Sequence, residues 1–123
     1  MNNLDKAQRS EAIFCVYCAE QGIELTKPLF HSAPYDFVVR IKGEWKTVQV
    51  KTAYPSKNGN GSPSLVVSLR HAGNGKTKIP YKKGDFDYLF CVSGQWKWMI
   101  PVDACSHIRS ILTLGNMMAK YKA

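Results

Sequence analysis

Apolar side chains recur at helical spacing near the start of the chain: Ala7, Phe14, Cys15 and Cys18 share one stripe, which predicts a helix from about Asp5 to Glu20. Glu11 falls within that stripe. The period then changes. Phe37, Val38, Val39 and Ile41 read as a mostly apolar strand, Lys42-Gly43-Glu44 as a tight turn, and Trp45, Thr47, Val48, Val50 and Thr52 as the returning strand. Residues 64–69 predict a third strand of the same sheet. Residues 87–92 and 95–100 predict a second hairpin about Ser93-Gly94, with Trp96, Trp98 and Ile100 alternating onto one core-facing side. After Pro101, Ala104, Ile108, Ile111, Leu112, Gly115 and Met118 return to helical spacing and predict a closing helix over 103–121. The expected architecture is a single α/β domain over residues 1–123, with a mixed central sheet of five or six strands flanked by helices.

The first hairpin carries the candidate chemistry. With a two-residue turn at Lys42-Gly43, residue 36 lies opposite 49; with the turn at Gly43-Glu44, it lies opposite 51. Residues 49 and 51 share a face, so Asp36, Gln49 and Lys51 converge in either case. A three-residue turn would put Asp36 opposite Val50 and separate them, unless a bulge restored the register. One carboxylate, one amide and one ammonium suit the hydrolysis of a phosphodiester. Hard oxygen donors hold Mg²⁺, which polarises the phosphate and acidifies a bound water. An adjacent lysine can orient or deprotonate that water, or stabilise charge growing on the phosphate. Glu11 is the candidate second carboxylate, because an acid on the apolar stripe of a helix is costly to bury unless it is paired or binds metal. Were Ile13, Val16 and Tyr17 the core face instead, Glu11 would be solvated.

Composition narrows the class. The chain has 123 residues and 45% hydrophobic content, enough for a genuine core without staples. No signal-like segment and no apolar run of about eighteen residues occur, which points to an intracellular protein that does not span a membrane. Cys15 and Cys18 have zinc-like spacing but fall inside the helix. Together with Cys91 and Cys105 they read as free thiols, in keeping with a reducing compartment.

Charge is segmental. Net charge is +8, yet residues 40–83 hold ten Lys or Arg against one acid, Glu44, and alone carry +9. Such a segment overlapping a candidate phosphodiester site fits a DNA backbone, where neutralised phosphates release counterions. Within it, residues 56–63 and 70–78 read as two Gly- and Asn-rich basic loops. Lys57, Arg70, Lys76 and Lys78 are candidate phosphate contacts; Asn58, Asn60 and His71 are candidate base readers.

Tyr35-Asp36-Phe37-Val38-Val39, leading through Thr47-Val48-Gln49-Val50-Lys51-Thr52, resembles the PD-(D/E)XK nuclease superfamily. The likeness is to its branch with Gln-x-Lys in place of Glu-x-Lys, which includes small phage and cyanobacterial homing endonucleases. The later segment from Tyr81 to Pro101, with Asp85-Phe86-Asp87-Tyr88 and then Trp98-Met99-Ile100-Pro101, is similar to the same branch and extends the likeness to roughly residues 5–101. The resemblance implies a restriction-endonuclease-like core and catalytic roles for Glu11, Asp36, Gln49 and Lys51, with Asp36, Gln49 and Glu11 on Mg²⁺ or Mn²⁺. It implies a site-specific endonuclease of the homing kind acting on double-stranded DNA, in the cytoplasm of a bacterial or phage-infected cell; because a 123-residue domain reads only a short stretch of DNA, a long site calls for a homodimer or homotetramer. Gln49 is a departure that removes one carboxylate. A Holliday-junction resolvase and a noncatalytic DNA-binding module on the same fold are the alternatives.

Overall fold

Asn2 and Asp5 start the first helix reciprocally. Asn2 Oδ1 accepts the Asp5 N–H at 2.8 Å, and the Asp5 carboxylate accepts the Asn2 N–H at 3.4 Å. Helix α1 (Asn3–Gln21) ends where Gly22 turns left-handed (φ 68°), and Ile23 N–H closes back on the Cys18 carbonyl at 2.8 Å. The inward stripe is Ser10, Phe14 and Cys18, while Val16 is 58% exposed. The core face is therefore the one that carries Glu11 at its margin.

The computed structural model describes residues 1–30, 32–57, 61, 63–72, 78–82, 84–105 and 111–123. Five strands form the central sheet: β1 (Glu24–Thr26), β2 (Phe37–Ile41), β3 (Glu44–Thr52), β8 (Tyr88–Ser93) and β9 (Trp96–Pro101), in the order β1-β2-β3-β8-β9. Only the β3–β8 pair within it is parallel. A parallel pair needs a long crossover. Here the crossover is built of strands: β4 (Tyr54–Lys57), β5 (Pro63–Ser68), β6 (Arg70–Ala72) and β7 (Lys78–Pro80).

Three expectations change. Residues 64–69 do not join the central sheet; β5 pairs with β4 and with β10 (Ile111–Thr113) in a second sheet. The place beside β3 goes to β8, whose Leu89-Phe90-Cys91-Val92 run is apolar on both faces and so suits a doubly covered strand. Residues 70–78 are not one loop, because β6 and β7 pair as a hairpin, Arg70 opposite Pro80. The closing helix is replaced, among the described residues, by β10 and a 3₁₀ segment, Asn116–Tyr121. Leu112 and Leu114 are buried while Ile111 and Thr113 face out, and Leu114 N–H bonds to the Leu65 carbonyl at 2.8 Å. Period two thus overrides the helical spacing once β5 offers an edge.

The two faces of the central sheet hold separate cores. Towards α1 lie Phe14, Phe37, Val39, Val48, Val50 and Phe90; Phe14 meets Phe90 and Phe37 with ring centres 4.7 and 5.1 Å apart. Each such ring contributes about 1.5–3 kcal/mol on burial. The opposite face packs Leu89, Cys91, Trp98 and Ile100 against Val67, Leu112 and Met118. The β8–β9 turn falls on Gly94-Gln95, one residue later than expected, and leaves Trp96 53% exposed while Trp98 is buried. All four cysteines are free thiols, and all but Cys15 are buried. Among the described residues no helix is long and apolar enough to cross a membrane.

Candidate active site

The β2–β3 turn settles the register. Ile41 pairs with Glu44 around Lys42 (φ 53°) and Gly43 (φ 80°), both left-handed as a two-residue hairpin turn requires. This is the first of the two turns weighed from the sequence, and it puts residue 36 in phase with 49. Regular pairing ends at Phe37 and Val48. Beyond it, Asp36 N–H donates to the Val48 carbonyl at 2.9 Å, while Asp36 Oδ2 accepts the Val50 N–H at 2.8 Å. The carboxylate is thereby fixed against β3 between the positions of Gln49 and Lys51.

Strand alternation sends Val48 and Val50 into the core under α1, and so turns Gln49 and Lys51 to the other face. Gln49 is only 8% exposed, and its Nε2 donates to the Val50 carbonyl at 3.3 Å. The amide oxygen is the atom left to act as a ligand. Lys51 Nζ donates to the Arg70 carbonyl at 3.1 Å and lies 5.1 Å from the centre of the Tyr81 ring. Glu11 approaches from α1 and pairs with Lys27 at 3.0 Å.

Glu11, Asp36, Gln49 and Lys51 all line one open groove of about 900 Å³, together with Lys6, Arg9, Thr52 and Tyr54. Its wall is tied together beneath: Ser10, buried on α1, shares a 2.7 Å hydrogen bond with Thr52 of β3. Burial raises the Asp36 pKa from its ordinary value. The Val50 hydrogen bond opposes this, Glu11 adds to it, and Lys51 and Lys27 oppose it. A carboxylate that is partly desolvated and faces a second acid favours a cation. The donor set of two carboxylates and an amide oxygen is of the hard-oxygen kind that suits a divalent ion such as Mg²⁺. Among the described residues no group of three or more His, Cys, Asp or Glu assembles, so the amide counts.

The four candidate catalytic residues from the sequence are therefore brought together. The DNA-contact candidates are more scattered. Lys57 is exposed at the end of β4, and Arg70 is exposed at the start of β6. His71 and Lys78 belong to the β6–β7 hairpin, with their side chains outside the description, and Asn58, Asn60 and Lys76 lie outside the described residues.

Three residues escaped the sequence reading. Lys27 reaches the site from a position with no periodic or motif signal, and Tyr81 from the first position of the segment 81–101 that carried the family likeness. Asp87 lies in a segment that carried the family likeness, and its use is structural: Oδ2 accepts from Thr47 N–H at 2.9 Å and from Thr47 Oγ1 at 3.2 Å. That clamp pins β8 to β3, whose register starts with Val48 beside Tyr88.

A sequence profile of the PD-(D/E)XK endonuclease family matches residues 1–121. A search of curated proteins finds no match to this chain. Among solved structures, the bacterial homing endonuclease I-Ssp6803I superposes with a TM-score of 0.82 at 21% identity, over 99% of this chain and 89% of its own. At that identity the likeness is one of fold, and the fold is the restriction-endonuclease-like α/β architecture.

Proposed function

The chain belongs to the PD-(D/E)XK endonuclease family, and from that premise we propose that it is a Mg²⁺- or Mn²⁺-dependent enzyme cutting double-stranded DNA at specific sites, in the manner of a homing endonuclease. The observation that carries this reading is the convergence of Glu11, Asp36, Gln49 and Lys51, from three elements, on one groove. Asp36, Glu11 and the amide oxygen of Gln49 would hold the ion. When bound, it polarises a phosphate oxygen and lowers the pKa of a water. Asp36, anchored by the Val50 N–H, keeps its second oxygen for that ion. Lys51 orients the attacking water or stabilises the charge growing on the phosphate. The basic segment of residues 40–83 would hold the DNA backbone. A domain of this size reads a short stretch of DNA, so site specificity calls for a homodimer or homotetramer. Such an enzyme would work in the cytoplasm of a bacterial or phage-infected cell.

Nicking of supercoiled plasmid, with Mg²⁺ and with chelator, tests the reading. Mg²⁺-dependent cutting that Asp36→Asn abolishes, with DNA binding retained, is the expected result. Binding without cutting by the parent protein would leave a noncatalytic module. Preferential cleavage of a synthetic four-way junction would make it a resolvase.

A further inference from the structure

Lys51 is met from outside its own hairpin. Its ammonium meets the base of the β6–β7 hairpin, where the Arg70 carbonyl accepts from Nζ at 3.1 Å and the Tyr81 ring lies 5.1 Å away. Those two contacts are themselves a unit. Arg70 opens β6, Tyr81 directly follows β7, and Tyr81 N–H donates to the Leu69 carbonyl at 3.1 Å, so one backbone ladder fixes both. The ring is braced in turn by Phe86, edge-on with centres 5.2 Å apart and planes at 81°. Phe86 is buried, so the ring has an immobile support.

A lysine side chain has four rotatable bonds and loses much rotamer freedom when ordered. For it to act on a water or phosphate, its nitrogen must stay in place within a fraction of an ångström. We propose that Tyr81 is a positioning residue: its ring face, with the Arg70 carbonyl, holds the Lys51 ammonium in the working orientation. This rests on the nuclease reading of Lys51 given above. The face of the ring carries this contact, since a cation is drawn to the negative side of the aromatic quadrupole. The hairpin that carries part of the basic segment thus also sets the geometry of the cleavage site from a point thirty residues further along the chain.

The test is a cycle of variants on the full-length protein, read as the single-turnover cleavage rate in Mg²⁺ and as DNA affinity in chelator. Tyr81→Phe keeps the face and should cleave within about threefold of the parent. Tyr81→Leu, with Tyr81→Met as a less disruptive apolar replacement should the first unfold, should cleave about 5- to 30-fold more slowly, as expected for removing a half-buried cation–ring interaction. DNA affinity should not change. In a Lys51→Met background the same Tyr81 substitution should slow cleavage no further, because nothing remains to be positioned; a general loosening of the fold would slow both backgrounds alike. If Tyr81→Met cleaves like the parent while Lys51→Met is crippled, the positioning role is wrong and the lysine assignment stands. Equal losses in both backgrounds, or a Tyr81→Phe as slow as Tyr81→Met, overturn it too. If Lys51→Met itself cleaves normally, the nuclease role of that lysine fails and the inference falls with it.

Discussion

Strands β3 and β8 run side by side, parallel and in register, and differ at the same depth of the sheet. Gln49 sits beside Leu89 and Lys51 beside Cys91. In β8, Leu89, Phe90, Cys91 and Val92 are all at most 1% exposed, and the strand feeds both cores. In β3 only Val48 and Val50 do this work, and the alternate positions hold an amide and an ammonium at the end of the same face. Burying polar groups in such a place costs stability unless they are satisfied. Both line the groove that Asp36 and Glu11 share. Strand β8 thus commits every side chain of this run to the two cores, whereas β3 commits two to the core and two to the groove.

Two substitutions of comparable size should break the pair in opposite ways. Lys51→Ala should slow single-turnover cleavage roughly 10²- to 10⁴-fold, with stability changed by less than about 1 kcal/mol. Phe90 is fully buried against Phe14 and Tyr17, so Phe90→Ala should lower unfolding free energy by about 3–5 kcal/mol. The surviving folded fraction should still cut. Denaturant titration and cleavage rate, measured on both proteins, check this. A loss of cutting by Phe90→Ala beyond its loss of folded molecules would show that the division is false.

A smaller effect is expected from making β3 copy its neighbour. Gln49→Leu should leave thermal stability equal or higher and weaken Mg²⁺ affinity about 10- to 100-fold, the scale seen for perturbing a metal's supporting groups. Gln49→Glu should move the Mg²⁺ titration midpoint as well. An unmoved midpoint in both places Gln49 outside the coordination shell.

The basic strands outside the pair offer a third test. Replacing Lys57, Arg70, Lys76 and Lys78 with Gln should flatten the log-log salt dependence of DNA binding by roughly 0.9 for each phosphate no longer neutralised. Replacing Lys120 and Lys122, which lie against Tyr121 and Trp96, should leave the slope unchanged. Equal slopes would reduce the basic segment to a solvated surface.

The mildest prediction concerns pH. Asp36 has a carboxyl pKa raised chiefly by burial, so the folded protein binds its proton more tightly than the unfolded chain. That favours folding below the ordinary carboxylate pKa and is lost as pH rises through the raised one. In chelator at neutral pH, Asp36→Asn should therefore melt no lower than the parent. Its advantage should shrink on acidification through that range. A melting temperature that drops instead would show that the ionised carboxylate is stabilising.

Local features were legible because local physics decides them. The left-handed Lys42-Gly43 turn fixes two strands directly on either side, so the phase of Asp36, Gln49 and Lys51 followed from counting. The helix and the segmental charge were equally readable, and so was Glu11, from its place on a stripe that Phe14 and Cys18 do bury. Alternation at residues 111–114 was hidden by helical spacing over a longer window, and only the edge offered by β5 resolved it. The neighbour of β3 was chosen by burial on both faces across some forty residues, favouring β8 over β5. For the same reason neither the meeting of Lys27 with Glu11 nor that of Tyr81 with Lys51 had a signal in the chain, although Tyr81 opens a segment that carried the family likeness. Turn chemistry and periodicity act between residues a few positions apart, and they decide the hairpin and its groove-lining face; the third dimension chose which distant groups meet there, because those contacts exist only once both cores have closed.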